Sequence, residues 1–263
     1  MKVYYPILMS TIIECENLFT DLQFQIMSIV DRPFTTYILK KGRYIFSQLV
    51  KTTKSCQVIG LEPGVEIEIE HGIQISRPLD SSFAIDFERE REIAVHFENI
   101  LFRSKGSQVR VEKGGIGTFY RCKFLKQCLD EEFKFEEHID TFYKRFLSFI
   151  NMEDKKNISG IVLSQGGMIV LNSCDIRSNG GCGIFVHGQN SFMDISNCNV
   201  HNSIIGIVVG DGGTMKASNN RICSQTLNGV AIGPNGTATL KGNTISQNKA
   251  EGIWCGGKPN IKK

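Results

Sequence analysis

The stretch Gly206-Ile-Val-Val-Gly210-Asp-Gly-Gly213-Thr-Met-Lys-Ala217-Ser-Asn-Asn220-Arg-Ile222-Cys223 decides the fold, because its parts return at a fixed interval. Gly160, Gly183, Gly206, Gly229 and Gly252 stand 23 residues apart, and each opens a short apolar phrase. A second phrase, apolar-x-x-(Cys or Asn)-x-apolar, follows each of the first four glycines. It runs through Leu171-Asn-Ser-Cys174-Asp-Ile176, Ile195-Ser-Asn-Cys198-Asn-Val200, Ala217-Ser-Asn-Asn220-Arg-Ile222 and Leu240-Lys-Gly-Asn243-Thr-Ile245. A period of this length marks a stacked repeat architecture.

Within the glycine phrase apolar residues alternate, as Ile161/Leu163, Ile184/Val186, Ile207/Val209 and Val230/Ile232. That alternation predicts half-buried strands. No stretch between them has room for a helix. Short strands, polar corners and this period predict an all-β, single-stranded, right-handed parallel β-helix. One coil alone cannot bury enough apolar surface to order its own backbone. Stacked coils pair each backbone with its neighbours and close one apolar column.

Working upstream, Phe97-Glu-Asn-Ile100-Leu-Phe102 and Phe119-Tyr-Arg-Cys122-Lys-Phe124 match the second phrase, and Val65-Glu-Ile67-Glu-Ile69 alternates strictly. The reading gives roughly eight coils of about 22–24 residues each. Residues 1–34 are expected to form an N-terminal cap, 35–124 the first coils, 125–157 an insertion and 158–263 the last coils, ending uncapped. In the cap, Leu18, Leu22, Ile26 and Ile29 have helical spacing, although Phe24 and Ile26 also permit a strand. The recurring glycines are expected at a corner needing positive φ or close backbone approach. Cys174, Cys198, Asn220 and Asn243 are expected to form an inward ladder at another corner.

The insertion is acidic at Asp130, Glu131, Glu132, Glu136, Glu137 and Asp140. Phe135, Ile139, Phe142, Phe146 and Phe149 follow at helical spacing, predicting an amphipathic helix. One reading packs it on the flank of the coil with its acids in water. The other makes Glu131, Glu132, Glu136, Glu137, Phe142 and Phe146 a partner-binding surface.

The net charge of +3 favours no class of partner. Basic residues are scattered without aromatic interleaving, so nucleic acid is not an expected partner. No run of 18 apolar residues occurs, and no membrane span is expected. The nine cysteines show no Cys-x-x-Cys pair and are read as buried free thiols. No metal site and no cofactor are expected. The location expected is cytoplasmic or nuclear, with secretion the less favoured alternative.

The repeat resembles the right-handed β-helix repeats of the F-box only proteins and of the Shc SH2-domain-binding protein (Nessun dorma) group. These are of the pectin-lyase-like, carbohydrate-binding and sugar-hydrolase type. The stretch from Gly229-Val-Ala-Ile through Leu240-Lys-Gly-Asn243-Thr-Ile-Ser-Gln-Asn248 carries the resemblance, with Lys41-Gly42-Arg-Tyr44 and Val58-Ile59-Gly60 upstream. The resemblance implies a non-catalytic scaffold for protein partners, in substrate recognition for ubiquitination or a cytokinesis-type assembly. No F-box-type Leu-Pro-x-Glu segment is recognisable ahead of the repeats. The alternative is a carbohydrate-binding or polysaccharide-cleaving protein.

Sugar-cleaving chemistry needs converging carboxylates. Superposing the coils sets Asp175, Asn199, Arg221 and Thr244 in one outward file and Arg177, His201, Cys223 and Ser246 in another. No two acids stack on adjacent coils, and His187 and His201 are read as lacking an aligned carboxylate. The best catalytic candidates are therefore Asp175 with His201 and Arg221, on one side and two coils apart, while the expectation is that the protein is not an enzyme.

Overall fold

The computed structural model describes residues 12–15, 35–46, 49–52, 55–70, 72–76, 93–104, 108–126, 159–164, 166–178, 181–256 and 260–262. Every described strand belongs to one of three parallel walls. Sheet A has ten strands, from Ile12–Cys15 to Asn260–Lys262. Sheets B and C have eight each, from Gly42–Phe46 to Thr244–Ser246 and from Val50–Thr52 to Ile253–Cys255. One circuit runs through Phe192–Ser196 in A, Asn199–His201 in B and Ile205–Gly210 in C, then climbs to Thr214–Ser218 in A. The chain forms a parallel β-helix.

Register follows the repeat. Ile161, Ile184, Ile207 and Val230 are consecutive partners across four rungs of sheet C, and all are fully buried. The column they enter changes character along its length. Phe97 stacks on Phe119 at 5.2 Å and Phe102 on Phe124 at 5.0 Å in the earlier coils. Later rungs fill the same column with Ile, Val, Met and Ala.

Two boundaries are corrected. Leu125 and Lys126 lie in the strand Lys123–Lys126, paired on both sides in sheet B, so the insertion starts after them. Ile12–Cys15 falls within the expected cap segment but is a rung of sheet A, paired with Thr35–Leu39. The helix or strand expected over 17–30, and the insertion helix with Glu131, Glu132, Glu136, Glu137, Phe142 and Phe146, lie outside the described residues.

The corner between sheets A and B is a two-residue device. The first residue has a left-handed backbone: Arg121, Ser173, Asn197 and Asn219 have φ of 53–56°. Asn and Ser tolerate that region better than branched residues. The second residue is the inward ladder of Cys122, Cys174, Cys198, Asn220 and Asn243. Asn220 Oδ1 accepts from the Cys198 backbone N–H at 2.8 Å, and Asn243 Oδ1 accepts from the Asn220 N–H at 2.9 Å. Their amide groups donate to the carbonyls of Ile195 and Ala217. The amides do stack, Asn220 Nδ2 donating to Asn243 Oδ1 at 2.9 Å, but most of their bonds satisfy corner backbone that strand pairing leaves free. Among the thiol rungs, the Cys174 N–H donates to Cys198 Sγ at 3.3 Å.

The corner between sheets B and C carries a second ladder: Ser203, Gln225 and Asn248. The Ser178 N–H donates to Ser203 Oγ, the Ser203 N–H to Gln225 Oε1 at 2.8 Å and the Gln225 N–H to Asn248 Oδ1 at 3.1 Å. Gly183, Gly206 and Gly229 lie beside it, and of the two roles expected of the recurring glycines close approach is the one realised at these three. A Cβ at Gly206 would stand 2.6 Å from the Gly229 carbonyl oxygen and 3.0 Å from Gln225 Nε2.

Candidate functional site

Asp175, Asn199, His201 and Arg221 stand on three successive rungs of sheet B. Ile176, Val200 and Ile222 between or beside them point into the column and are fully buried, so the polar residues point outward. Backbone pairing sets Lys123, Asp175, Asn199 and Arg221 in one file and Arg177, His201 and Cys223 in the next.

Asp175 and His201 meet on the diagonal. Asp175 Oδ1 lies 3.1 Å from His201 Nε2 and also accepts from Asn199 Nδ2 at 2.8 Å. His201 therefore has a carboxylate partner after all, one coil away rather than two. It is displaced by two residues along the strand, where direct superposition of coils does not look. Arg221 does not join them. It is exposed and two rungs from Asp175, about 9–10 Å along the stack.

The hydrogen bond to His201 holds the Asp175 carboxyl below the usual carboxylate range. Partial burial opposes this, and Asn199 and the nearby Lys123 charge reinforce it. A general acid needs the opposite shift. Asp175 instead carries a fixed negative charge that ties one rung to the next. Arg43 pairs with Glu66 and Glu68 and Arg103 with Glu66, at 2.7 Å for the last, so cross-rung ion pairs recur on this wall.

The outward face of sheet A differs. Tyr120, Asn172, Ser196 and Ser218 form one file, with Asn172 Nδ2 donating to Ser196 Oγ at 3.1 Å. Phe192 stands at the opposite end of the strand Phe192–Ser196, about 13 Å from that file, with the Lys216 ammonium 5.3 Å from its ring centroid, and the Arg121 guanidinium lies 4.7 Å from that of Tyr120. Neither aromatic was singled out from sequence, although both sit at outward positions of strands whose register the repeat supplies.

Among the described residues no group of three or more His, Cys, Asp and Glu lies together as a metal site. Seven described cysteines are free thiols, and burial pushes those of Cys56, Cys122 and Cys182 up to about 12. No helix among the described residues is long and apolar enough to cross a membrane.

Residues 139–262 match the family model described as right handed beta helix region. The chain is a right-handed parallel β-helix. Geobacillus virus E2 ORF18 is similar in structure over 92% of this chain and 55% of its own, at 11% identity and a TM-score of 0.49. The chain thus spans about half of ORF18. The periplasmic alginate epimerase AlgG is similar over 96% of this chain and 84% of its own, at 9% identity and a TM-score of 0.23. No curated protein matches. The coarse part of the sequence resemblance, the right-handed β-helix, stands on the family model and the three-walled topology; the F-box only and Nessun dorma subgroup does not.

Proposed function

We propose that this β-helix is a non-catalytic scaffold that presents its walls, and the acidic segment inserted after Lys126, to a protein partner. The supporting observation is the use made of Asp175. The carboxylate best placed for chemistry accepts hydrogen bonds from Asn199 and His201 of the next rung and is held ionised. Its role is to fasten coils, which is what a rigid display surface needs. A role in ubiquitination or a cytokinesis-type assembly, in cytoplasm or nucleus, follows only from the repeat resemblance.

Affinity purification of the full chain from native cells tests this, with a variant in which a flexible linker replaces 128–157. Recovery of ubiquitin-ligase subunits or midbody components, lost in the variant, is the expected result. Unchanged recovery moves the binding to the sheet faces. A full chain that captures nothing in repeated preparations overturns the scaffold.

A second reading has its own observation. The outward face of sheet A sets the Tyr120 ring in one file with the polar groups of Asn172, Ser196 and Ser218, the chemistry on which a sugar stacks and hydrogen-bonds. Binding to a polyuronide panel, weakened by Tyr120→Ala and not by Asp175→Ala, would favour carbohydrate over protein. Turnover abolished by Asp175→Ala or Asp194→Ala would make the protein an enzyme.

A further inference from the structure

Strands Cys182–His187, Ile205–Gly210 and Val230–Ile232 of sheet C are buried along both faces. Ile184, Val186, Ile207, Val209, Val230 and Ile232 belong to the inner column. Phe185, Val208 and Ala231 alternate with them and so point away from it. Their exposure is nevertheless 1%, 0% and 0%. Cys182, Ile204, Ile205 and Cys223, around the corner between sheets B and C, are likewise buried without belonging to the inner column. All described strands lie within the three walls, so none of them covers this outer face.

We propose that this apolar outer face of sheet C is the seat of the inserted residues 127–158 of the same chain. Three observations select that occupant. The segment leaves sheet B at Lys126 and returns at Ser159 on the rung adjacent to Cys182–His187, so both of its ends are fixed at this corner. Residues 77–92 instead join sheet C to sheet A, at another corner and three rungs from Cys182–His187. The inserted sequence also has complementary chemistry. Phe135, Ile139, Phe142, Phe146 and Phe149 fall on one side if helical and extend about 21 Å. The file Phe185–Val208–Ala231 extends about 10 Å over its three rungs. The stripe is therefore long enough to cover the file and reach the corner beyond it. Seated this way, Phe142 and Phe146 are used within the molecule, and Glu131, Glu132, Glu136 and Glu137 are what remains for a partner.

The test uses the full chain. With p-benzoylphenylalanine in place of Phe185, irradiation is expected to give an intrachain cross-link to a peptide from 127–158. A cross-link to 1–34, to 77–92 or between two chains overturns the proposal. Independently, labelling of the introduced thiol in Val208→Cys is followed by peptide mapping, with and without Phe142→Asp/Phe146→Asp. The double change is expected to speed labelling at least about tenfold, by opening the face locally. Equal rates with native circular dichroism overturn the proposal, and Ala231→Cys replaces Val208→Cys if the latter does not fold. Neither measurement depends on partner capture, so this seat and the scaffold function fail separately.

Discussion

The two polar corners of the coil solve one problem in different ways. Between sheets A and B a left-handed residue is followed by a short inward group, and the chain accepts Cys at 174 and 198 or Asn at 220 and 243 in the same slot. Between sheets B and C the inward groups are Ser203, Gln225 and Asn248, of unequal length, and the room for them comes from glycine. The first corner is held by what the side chain donates and accepts. The second is also held by what is missing, since Gly183, Gly206 and Gly229 each admit the carbonyl of the next glycine at less than 3 Å from where a Cβ would be.

If that contrast is right, the largest loss comes from filling the second corner. Gly206→Val should destabilise by about 3 kcal/mol or more, because backbone and not a movable side chain opposes the new atoms. Gly252→Ala is the control: its nearest neighbour is Ile245 Cγ2 at 3.3 Å, and a loss within about 1 kcal/mol is expected. Equal losses in urea unfolding would erase the distinction.

Next comes the amide rung of the first corner. Asn220→Ala leaves the Cys198 N–H and the Ile195 carbonyl without partners, at a cost of about 2–3 kcal/mol. The thiol rung should be more tolerant. Cys198→Ala removes a weaker acceptor, about 1 kcal/mol, and Cys198→Asn should be accommodated if the slot takes either chemistry. A Cys198→Ala loss as large as that of Asn220→Ala would show thiol and amide doing equal service.

The smallest effect belongs to the outer wall. Asp175→Asn should cost less than about 1 kcal/mol at neutral pH, because the pair is partly solvated. Its folded carboxyl is held below the ordinary value, so the contribution is present above the unfolded value. It fades as pH falls through the folded one. Melting curves of wild type and variant should converge in acid; a difference that persists there would assign the loss to packing.

Much of this contrast is readable in the sequence, and the unread parts have physical causes. The glycine file and the Cys/Asn ladder keep one residue type or two near-equivalents, so superposition exposes them. Ser203, Gln225 and Asn248 recur at separations of 22 and 23 residues, but share only an acceptor oxygen, and a search by residue type passes over them. The Asp175–His201 contact is diagonal, and superposition by position aligns Asp175 with Asn199 and Arg177 with His201. Phe185, Val208 and Ala231 interrupt a strict apolar–polar alternation, a direct sign of burial on two faces that the reading as half-buried strands passed over.

The circuit from sheet B to sheet C shows where this architecture is indifferent to length. Ser178 and Cys182 are separated by three residues and Lys126 and Ser159 by 32, yet pairing continues in unbroken register on both walls: Phe124 with Ile176, Ile161 with Ile184. Lengthening a surface connection costs only a logarithmic entropy, whereas one extra residue inside a strand would turn its inner side chains outward. This crossing is therefore a port, where foreign sequence can be exchanged while the rungs on either side keep their places.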